Sequence, residues 1–243
     1  MAEGASVPVE GWDFSWFEGR ATEERPPWGY SPLLAQRMAT ATAALDIQTG
    51  GGEVLAQIPQ PPPRVVATES WPPNVEIARR NLAPLGATVV TVDDDADLPF
   101  PADSFDLVVS RHPVETRWDE IARVLTPGGT FLSQMVGAGS VRELTDAMMG
   151  PQVPSQARSP RRAADQAEAA GLAVLDLRTA ALEMRFYDVA AVIVFLRKVI
   201  WTVPGFTVDR YRPQLAGLHR RIQADGSFTA HSQRFLIEAR KPG

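Results

Sequence analysis

From Ser31 onward the chain alternates apolar bursts with polar or glycine-rich turns, and most bursts are followed by a stretch of helical character. Pro32 stands at the favoured first-turn position of a helix running towards Ala44. The bursts are Ala43 to Ile47, Arg64 to Glu69, Ala87 to Val92, Phe105 to Ser110 and Gly129 to Val136. Helical patterns fall at Glu53 to Ile58, Asn74 to Leu82 and Trp118 to Leu125. Apolar strands alternating with helices at this spacing predict βαβ units and a parallel sheet covered on both faces. Beyond Gly137, Pro151 to Pro160 reads as a loop, and Arg162 to Ala170 as a helix stopped by Gly171. Ala173 to Leu177 and Phe235 to Ala239 read as the last two strands, with helices Val189 to Trp201 and Tyr211 to Gln223 between them. Residues 1–30 hold six aromatics (Trp12, Phe14, Trp16, Phe17, Trp28, Tyr30) without clean periodicity. The expectation is one α/β domain over 31–243, preceded by an aromatic extension over 1–30 that serves as a lid or as a tether packed on the sheet.

Composition narrows the chemistry more than it narrows the fold. The 243 residues include no cysteine, so a disulfide framework, a zinc knuckle, an iron–sulfur cluster and a thiolate nucleophile are all excluded. Acids outnumber bases by 29 to 24, which gives no global attraction to a phosphate backbone. The least polar stretch, Val189 to Val203, is interrupted by Arg197 and Lys198 and falls short of the ~20 apolar residues of a membrane span. Met1 to Glu10 carries Glu3 and Glu10, no base and no apolar core, so no secretory signal is expected. These features predict a soluble, cytoplasmic protein.

Candidate chemistry gathers at the strand ends. Asp46-Ile47-Gln48-Thr49-Gly50-Gly51-Gly52 closes the first burst, where glycines let a ligand approach the backbone. Asp46 suits a cationic ligand group better than a pyrophosphate, and there is no Walker lysine. Leu55 stands at the third position of a dinucleotide fingerprint, which counts with Asp46 against a nicotinamide oxidoreductase. Glu69 ends the second burst, 23 residues after Asp46, where a carboxylate accepts two hydrogen bonds from ribose hydroxyls. Asp93-Asp94-Asp95 follows the third, where a carboxylate meets an exocyclic adenine amine; mutual repulsion allows one or two of the three to face the ligand.

The ordered run of Leu45 to Gly52, Glu69, Asp94 to Phe100, Phe105 to Ser110 and Arg123-Val124-Leu125-Thr126-Pro127-Gly128-Gly129 resembles a class I S-adenosylmethionine (SAM)-dependent methyltransferase of the small methyltransferase-domain, type 11-like kind. The resemblance covers about Leu45 to Val136. It implies a Rossmann-like, doubly wound sheet of seven strands with helices on both faces, the last strand antiparallel and inserted beside the fifth. It also implies SAM as cofactor: Asp46, Gln48, Gly50 and Gly52 border its methionine part, Glu69 and Ser70 its ribose, and Asp94 or Asp95 with Ala96 its adenine, which Trp71 edges. Ser110 and Arg111 then lie near the methyl group. Gln48 stands where the family has the first glycine of its loop; its side chain either projects away or donates a hydrogen bond.

For the acceptor, His112 is the positional candidate for a general base, with Tyr187 and His231 as further catalytic candidates; His219 reads as surface. Ser110-Arg111-His112-Pro113 is not the Asn/Asp-Pro-Pro-aromatic turn that grips planar amino groups. Arg79-Arg80, Arg161-Arg162 and Arg220-Arg221 are pairs rather than a basic stripe, so nucleic acid is not favoured. Residues 183–223, with Phe186, Tyr187, Phe195 and Trp201, read as an inserted apolar cap over the acceptor site. The expected activity is methyl transfer to oxygen or nitrogen of a small molecule; no metal-ligating residues are singled out, and the sequence does not identify any metal requirement. The alternatives are a non-catalytic SAM-binding protein and an RNA methyltransferase. The oligomeric state is not legible.

Overall fold

A computed structural model describes residues 1–9, 14–153 and 155–243; Glu10, Trp12 and Pro154 lie outside the described residues. Eight strands form one mixed sheet: β1 (Ala21–Glu23), β2 (Ala43–Ile47), β3 (Arg64–Glu69), β4 (Thr88–Thr91), β5 (Phe105–Arg111), β6 (Leu125–Val136), β7 (Ala173–Phe186) and β8 (Phe228–Arg240). Their order is β1-β7-β8-β6-β5-β2-β3-β4. Strands β2 to β6 pair in parallel, and β8 runs antiparallel beside β6. The resemblance implied seven strands. The eighth is the short β1, which pairs antiparallel with the end of β7, Ala21 opposite Phe186.

Chain contacts divide the molecule into two units, with β7 and β8 giving residues to both. The larger unit holds Pro26–Val136, Ala157–Ala180 and Arg234–Gly243. Its central strands are apolar on both faces because helices cover both. Val108, Phe131 and Ile237 pack with Trp118, Ile121 and Val124 of α4 (Trp118–Val124) and with Ala163 and Ala167 of α6 (Pro160–Ala169). On the other face, Leu107, Val109 and Leu132 pack with Leu34 and Met38 of α2 (Tyr30–Met38) and with Ala78 and Leu82 of α3 (Pro72–Leu82). The alternation of Leu107, Val108 and Val109 between these clusters is the period of two that a strand imposes.

The smaller unit holds Met1–Arg25, Gly137–Gln156 and Ala181–Gln233. Its centre is α7 (Val189–Lys198), buried without interruption from Val189 to Leu196, as expected of a helix apolar on every side. Asp188 caps it, accepting from the Ala191 N–H at 2.8 Å. Around it lie α1 (Ala2–Ser6), α5 (Arg142–Met149) and α8 (Arg212–Asp225), the last two contributing Leu144, Met148, Leu215, Leu218 and Ile222 to one core. No helix among the described residues is long and apolar enough to cross a membrane.

Candidate active site

All site geometry below belongs to the larger unit unless stated. Parallel pairing brings the carboxyl ends of β2, β3 and β5 to one edge: Asp46 lies opposite Ala67 and Val109, and Ile47 opposite Ser110. The turn after β2 folds between two carboxylates. Thr49 Oγ1 donates to Asp46 Oδ2 at 2.7 Å, and the Gly50 N–H donates to Glu69 Oε2 at 2.8 Å. Glu69 Oε1 accepts from the N–H groups of Ser70 and Trp71 at 3.1 and 3.0 Å. An ionised carboxylate has about four acceptor sites, so one site on Oε2 is left, room for a single hydroxyl rather than two. The turn needs its glycines: Gly52 has φ +75°, and a Cβ there would lie 2.8 Å from Leu82 Cγ.

These carboxylates sit in an electrically unfavourable place. Burial pushes the Asp46 carboxyl up to about 7; the Glu69 charge adds to the shift, while Thr49 and Arg111 oppose it. Burial also raises Glu69, and its three backbone donors offset this only in part. A cation entering here would relieve both. Tyr30 closes the floor, its hydroxyl donating to the Ser110 carbonyl at 3.1 Å. Burial, followed by the Asp46 charge, keeps that phenol protonated.

Beside the strand tips lies a crevice of about 450 Å³ including its open mouth. Ile47, Val92, Leu98 and Phe131 give it apolar walls suited to a flat ring, and Asp93, Asp94, Ala96 and Ser110 also line it. Asp95 is not among its lining residues, and its carbonyl accepts from Arg117, which also bonds Asp97 and Asp119. Trp71 is exposed next to Glu69. The Gln48 side chain donates a hydrogen bond, the second of the two expected alternatives, and accepts one as well. Its Nε2 donates to the Glu115 carbonyl at 2.8 Å and its Oε1 accepts from the Val114 N–H at 2.6 Å, clasping the turn after β2 to the turn after β5. Gln48 does this at φ +56°, a left-handed conformation that glycine adopts more readily.

His112 is half-buried after β5, with φ +57°. Its Nε2 faces the Gln134 amide nitrogen at 3.0 Å, and Gln134 Oε1 accepts from Trp28 Nε1 at 2.8 Å. Burial, then the charges of Arg111 and Arg234, hold the imidazole well below its ordinary pKa. An amide group thus faces Nε2 of the residue expected as general base. Arg111 itself is exposed.

The other two catalytic candidates belong to the smaller unit. Tyr187 shares a hydrogen bond with Thr22 at 3.1 Å. His231 Nδ1 lies 2.7 Å from Glu143 Oε1, and the His231 N–H donates to Glu143 Oε2 at 3.0 Å. His219 is exposed on α8. Among the described residues no group of three or more His, Asp or Glu is arranged to hold a metal ion.

Sequence reasoning passed over Trp28 and Gln134 as site residues. The signal available was Ser133-Gln134, a polar pair inside the otherwise apolar strand β6 and almost wholly buried.

Residues 45–133 match the family model described as a methyltransferase domain. A demethylmenaquinone methyltransferase of Clavibacter sepedonicus is 34% identical over 111 residues, 43% of this chain and 45% of that protein, so the match spans under half of the relative's length. Among solved structures, the YcgJ protein of Bacillus subtilis superposes with a TM-score of 0.64 at 20% identity, over 88% of this chain and 98% of that one. A phosphoethanolamine N-methyltransferase 2 of Haemonchus contortus, in complex with S-adenosylhomocysteine, gives 0.54 at 18%, over 89% of this chain and 54% of that one. At such identities the structural likeness concerns the fold.

Proposed function

We propose, from the match of residues 45–133 to the methyltransferase-domain family model, that the protein is a class I SAM-dependent enzyme that transfers a methyl group from SAM to oxygen or nitrogen of a small-molecule acceptor. The observation that carries this reading is the pair of carboxylates, half-buried Asp46 and buried Glu69, joined through one glycine turn at neighbouring strand tips. A sulfonium nucleoside brings positive charge to that place, whereas a dinucleotide pyrophosphate would meet repulsion.

The chain's residues fit the donor in three parts. The remaining site on Glu69 Oε2 takes a ribose hydroxyl. Asp94, on the crevice wall, takes the exocyclic amine, with Ile47, Val92 and Leu98 against the ring faces. The backbone of 46–52 borders the methionine part. When bound, the donor supplies an activated methyl group that leaves a neutral thioether behind. The protein's task is then alignment, which can supply much of the rate of an in-line displacement. The Haemonchus neighbour, solved with the demethylated product, is consistent with the same donor here.

A small acceptor is favoured over RNA because arginines of all three pairs are engaged or dispersed. Arg79, Arg161 and Arg221 each bridge an acid on their own helix, at 2.7, 2.8 and 3.6 Å. One observation favours a second reading, a protein that binds the donor without turning it over: the Gln48 clasp crosses the turns that flank the crevice.

Thermal unfolding with SAM, S-adenosylhomocysteine and NAD(P) tests the donor assignment. At a hundredfold excess over Kd a ligand adds about 2.7 kcal/mol, or roughly 5–11 °C in Tm at this size. The expected result is a shift with the two sulfur nucleosides and none with NAD(P), weakened at least tenfold in affinity by Glu69→Ala. No shift with any of them would sink the donor assignment.

A further inference from the structure

The Trp28–Gln134–His112 chain fixes which imidazole nitrogen carries the proton. Indole Nε1 only donates, so the Gln134 atom 2.8 Å from it is the amide oxygen. The other end of that amide, an NH₂ group, then faces His112 Nε2 at 3.0 Å and must donate. Nε2 is therefore a lone pair, and the neutral ring holds its proton on Nδ1. Neighbouring groups reinforce this. The charges facing the ring, Arg111 and Arg234, disfavour imidazolium, and the His112 N–H bonds the Gln134 carbonyl at 2.7 Å, holding the two residues side by side. Trp28 and Gln134 are 8% and 4% exposed, so water does not compete for these atoms.

Nδ1 is the nitrogen left over, and it has no partner among the described residues. His112 retains open surface and lies at the rim of the crevice rather than in its lining, which its chain neighbours Ser110 and Pro113 enter. An imidazole N–H held in place and left unpaired is a ready site for a ligand acceptor atom.

We propose that Trp28 and Gln134 are positioning residues that set His112 as a fixed Nδ1–H donor, which recognises an acceptor molecule through a lone-pair oxygen beside the atom to be methylated. This rests on the methyl-transfer reading for the identity of the ligand, although the tautomer itself does not depend on it. A donor on the attacking atom would tie up the lone pair that the methyl group needs, so the contact belongs on a neighbouring carbonyl or phenolate oxygen. The acceptor class is thus a molecule whose attacking atom needs no base at His112: an amine, or an oxygen acidic enough to ionise unaided.

Long-range ¹H–¹⁵N spectra of the full chain read the tautomer directly, with His112→Gln assigning the signal. His112 is expected as the Nδ1–H form, neutral at pH 6; an Nε2–H form or an imidazolium there would overturn the proposal. Gln134→Glu puts a carboxylate oxygen where the NH₂ stood, so Nε2 must now carry a proton. The tautomer should switch to Nε2–H, with S-adenosylhomocysteine affinity held within about twofold. Trp28→Phe removes only the indole N–H, frees the amide to turn, and should give a mixture of tautomers; an unchanged Nδ1–H signal in both variants would refute the relay. With S-adenosylhomocysteine bound, pentafluorophenolate should move the His112 Nδ1–H resonance and pentafluorotoluene, which has no oxygen, should not, and equal responses would reject oxygen recognition. A protein with the stated tautomer that fails to bind S-adenosylhomocysteine would reject the methyl-transfer reading and leave the relay standing.

Discussion

His112 and His231 are the same side chain held by opposite nitrogens. In the larger unit an amide N–H occupies His112 Nε2, leaving an N–H as the outward function. In the smaller unit an ionised carboxylate can only accept, so His231 carries a proton on Nδ1 towards Glu143. Burial would raise the Glu143 carboxyl, but the ring and backbone N–H groups of His231 overcome this and lower it. One ring is thus held by a donor and the other by an acceptor. The first is fixed by a half-buried relay, the second by a pair in which both side chains are more than two-fifths exposed. Residue type and position in sequence do not decide between acid and base character here; the hydrogen-bond partner does.

The largest test of that contrast is stability. Gln134→Leu removes the acceptor of a buried indole N–H and the donor to a largely enclosed imidazole nitrogen. Leaving buried polar groups unsatisfied costs about 1–3 kcal/mol each, so the expected loss for the two is about 2–6 kcal/mol in urea unfolding. His231→Ala breaks an exposed pair and should cost less than about 1 kcal/mol. Equal losses would mean that the two histidines are held alike.

The next effect is a pH dependence whose sign differs between two groups of the larger unit. His112 has a depressed pKa, so the unfolded chain binds the extra proton, and stability falls as pH drops below the ordinary value of 6.5. Asp46 is raised from 3.8 to about 7, so the folded chain binds the extra proton; its contribution is full below 3.8 and is lost as pH rises towards 7. Between pH 5 and 6.5 the two slopes oppose one another in the native protein. Asp46→Asn should remove one opposing slope and leave only that of the raised Glu69 against His112, so that up to about 1.4 kcal/mol is lost for each unit of acidification. A profile no steeper than that of the native protein would mean that Asp46 supplies no opposing slope.

The parallel half of the sheet was readable because strands covered on both faces are continuously apolar, as in Val65 to Thr68 and Leu107 to Val109. The tips were readable for the same reason, since Asp46 and Glu69 are acids that end such runs. Longer-range features were not. The helix expected over Glu53 to Ile58 is only a short 3₁₀ turn at Leu55–Gln57, because glycines precede it and Pro59 soon follows. Strand β7 continues to Phe186, well past the expected end at Leu177, since Arg178 and Thr179 are exposed and break the apolar run. Helix α5 was missed, with only Leu144 and Met148 buried along it. Trp28 and Gln134 are 106 residues apart, so no local pattern joins them, and the occupied face of His112 followed from that pairing alone.

The smallest stability effect belongs to the second glutamine clasp, which contrasts with the buried one at Gln134. Gln48→Gly relieves a side chain held at φ +56°, a gain of about 1–2 kcal/mol. It also severs two hydrogen bonds, to Val114 and Glu115, worth about 0.5–1.5 kcal/mol each in a partly exposed setting. These nearly cancel, so Tm should move by only a few degrees where Gln134→Leu moves it far. Kinetics should not cancel, because the clasp joins the two turns that flank the crevice and both bonds must loosen for them to part. Stopped-flow fluorescence should show S-adenosylhomocysteine entering and leaving Gln48→Gly faster than the native chain, with Kd changed by no more than a few fold. Unchanged rates would mean that the two turns already part freely in the native protein. The left-handed glutamine would then be a matter of local packing and not of access to the strand tips.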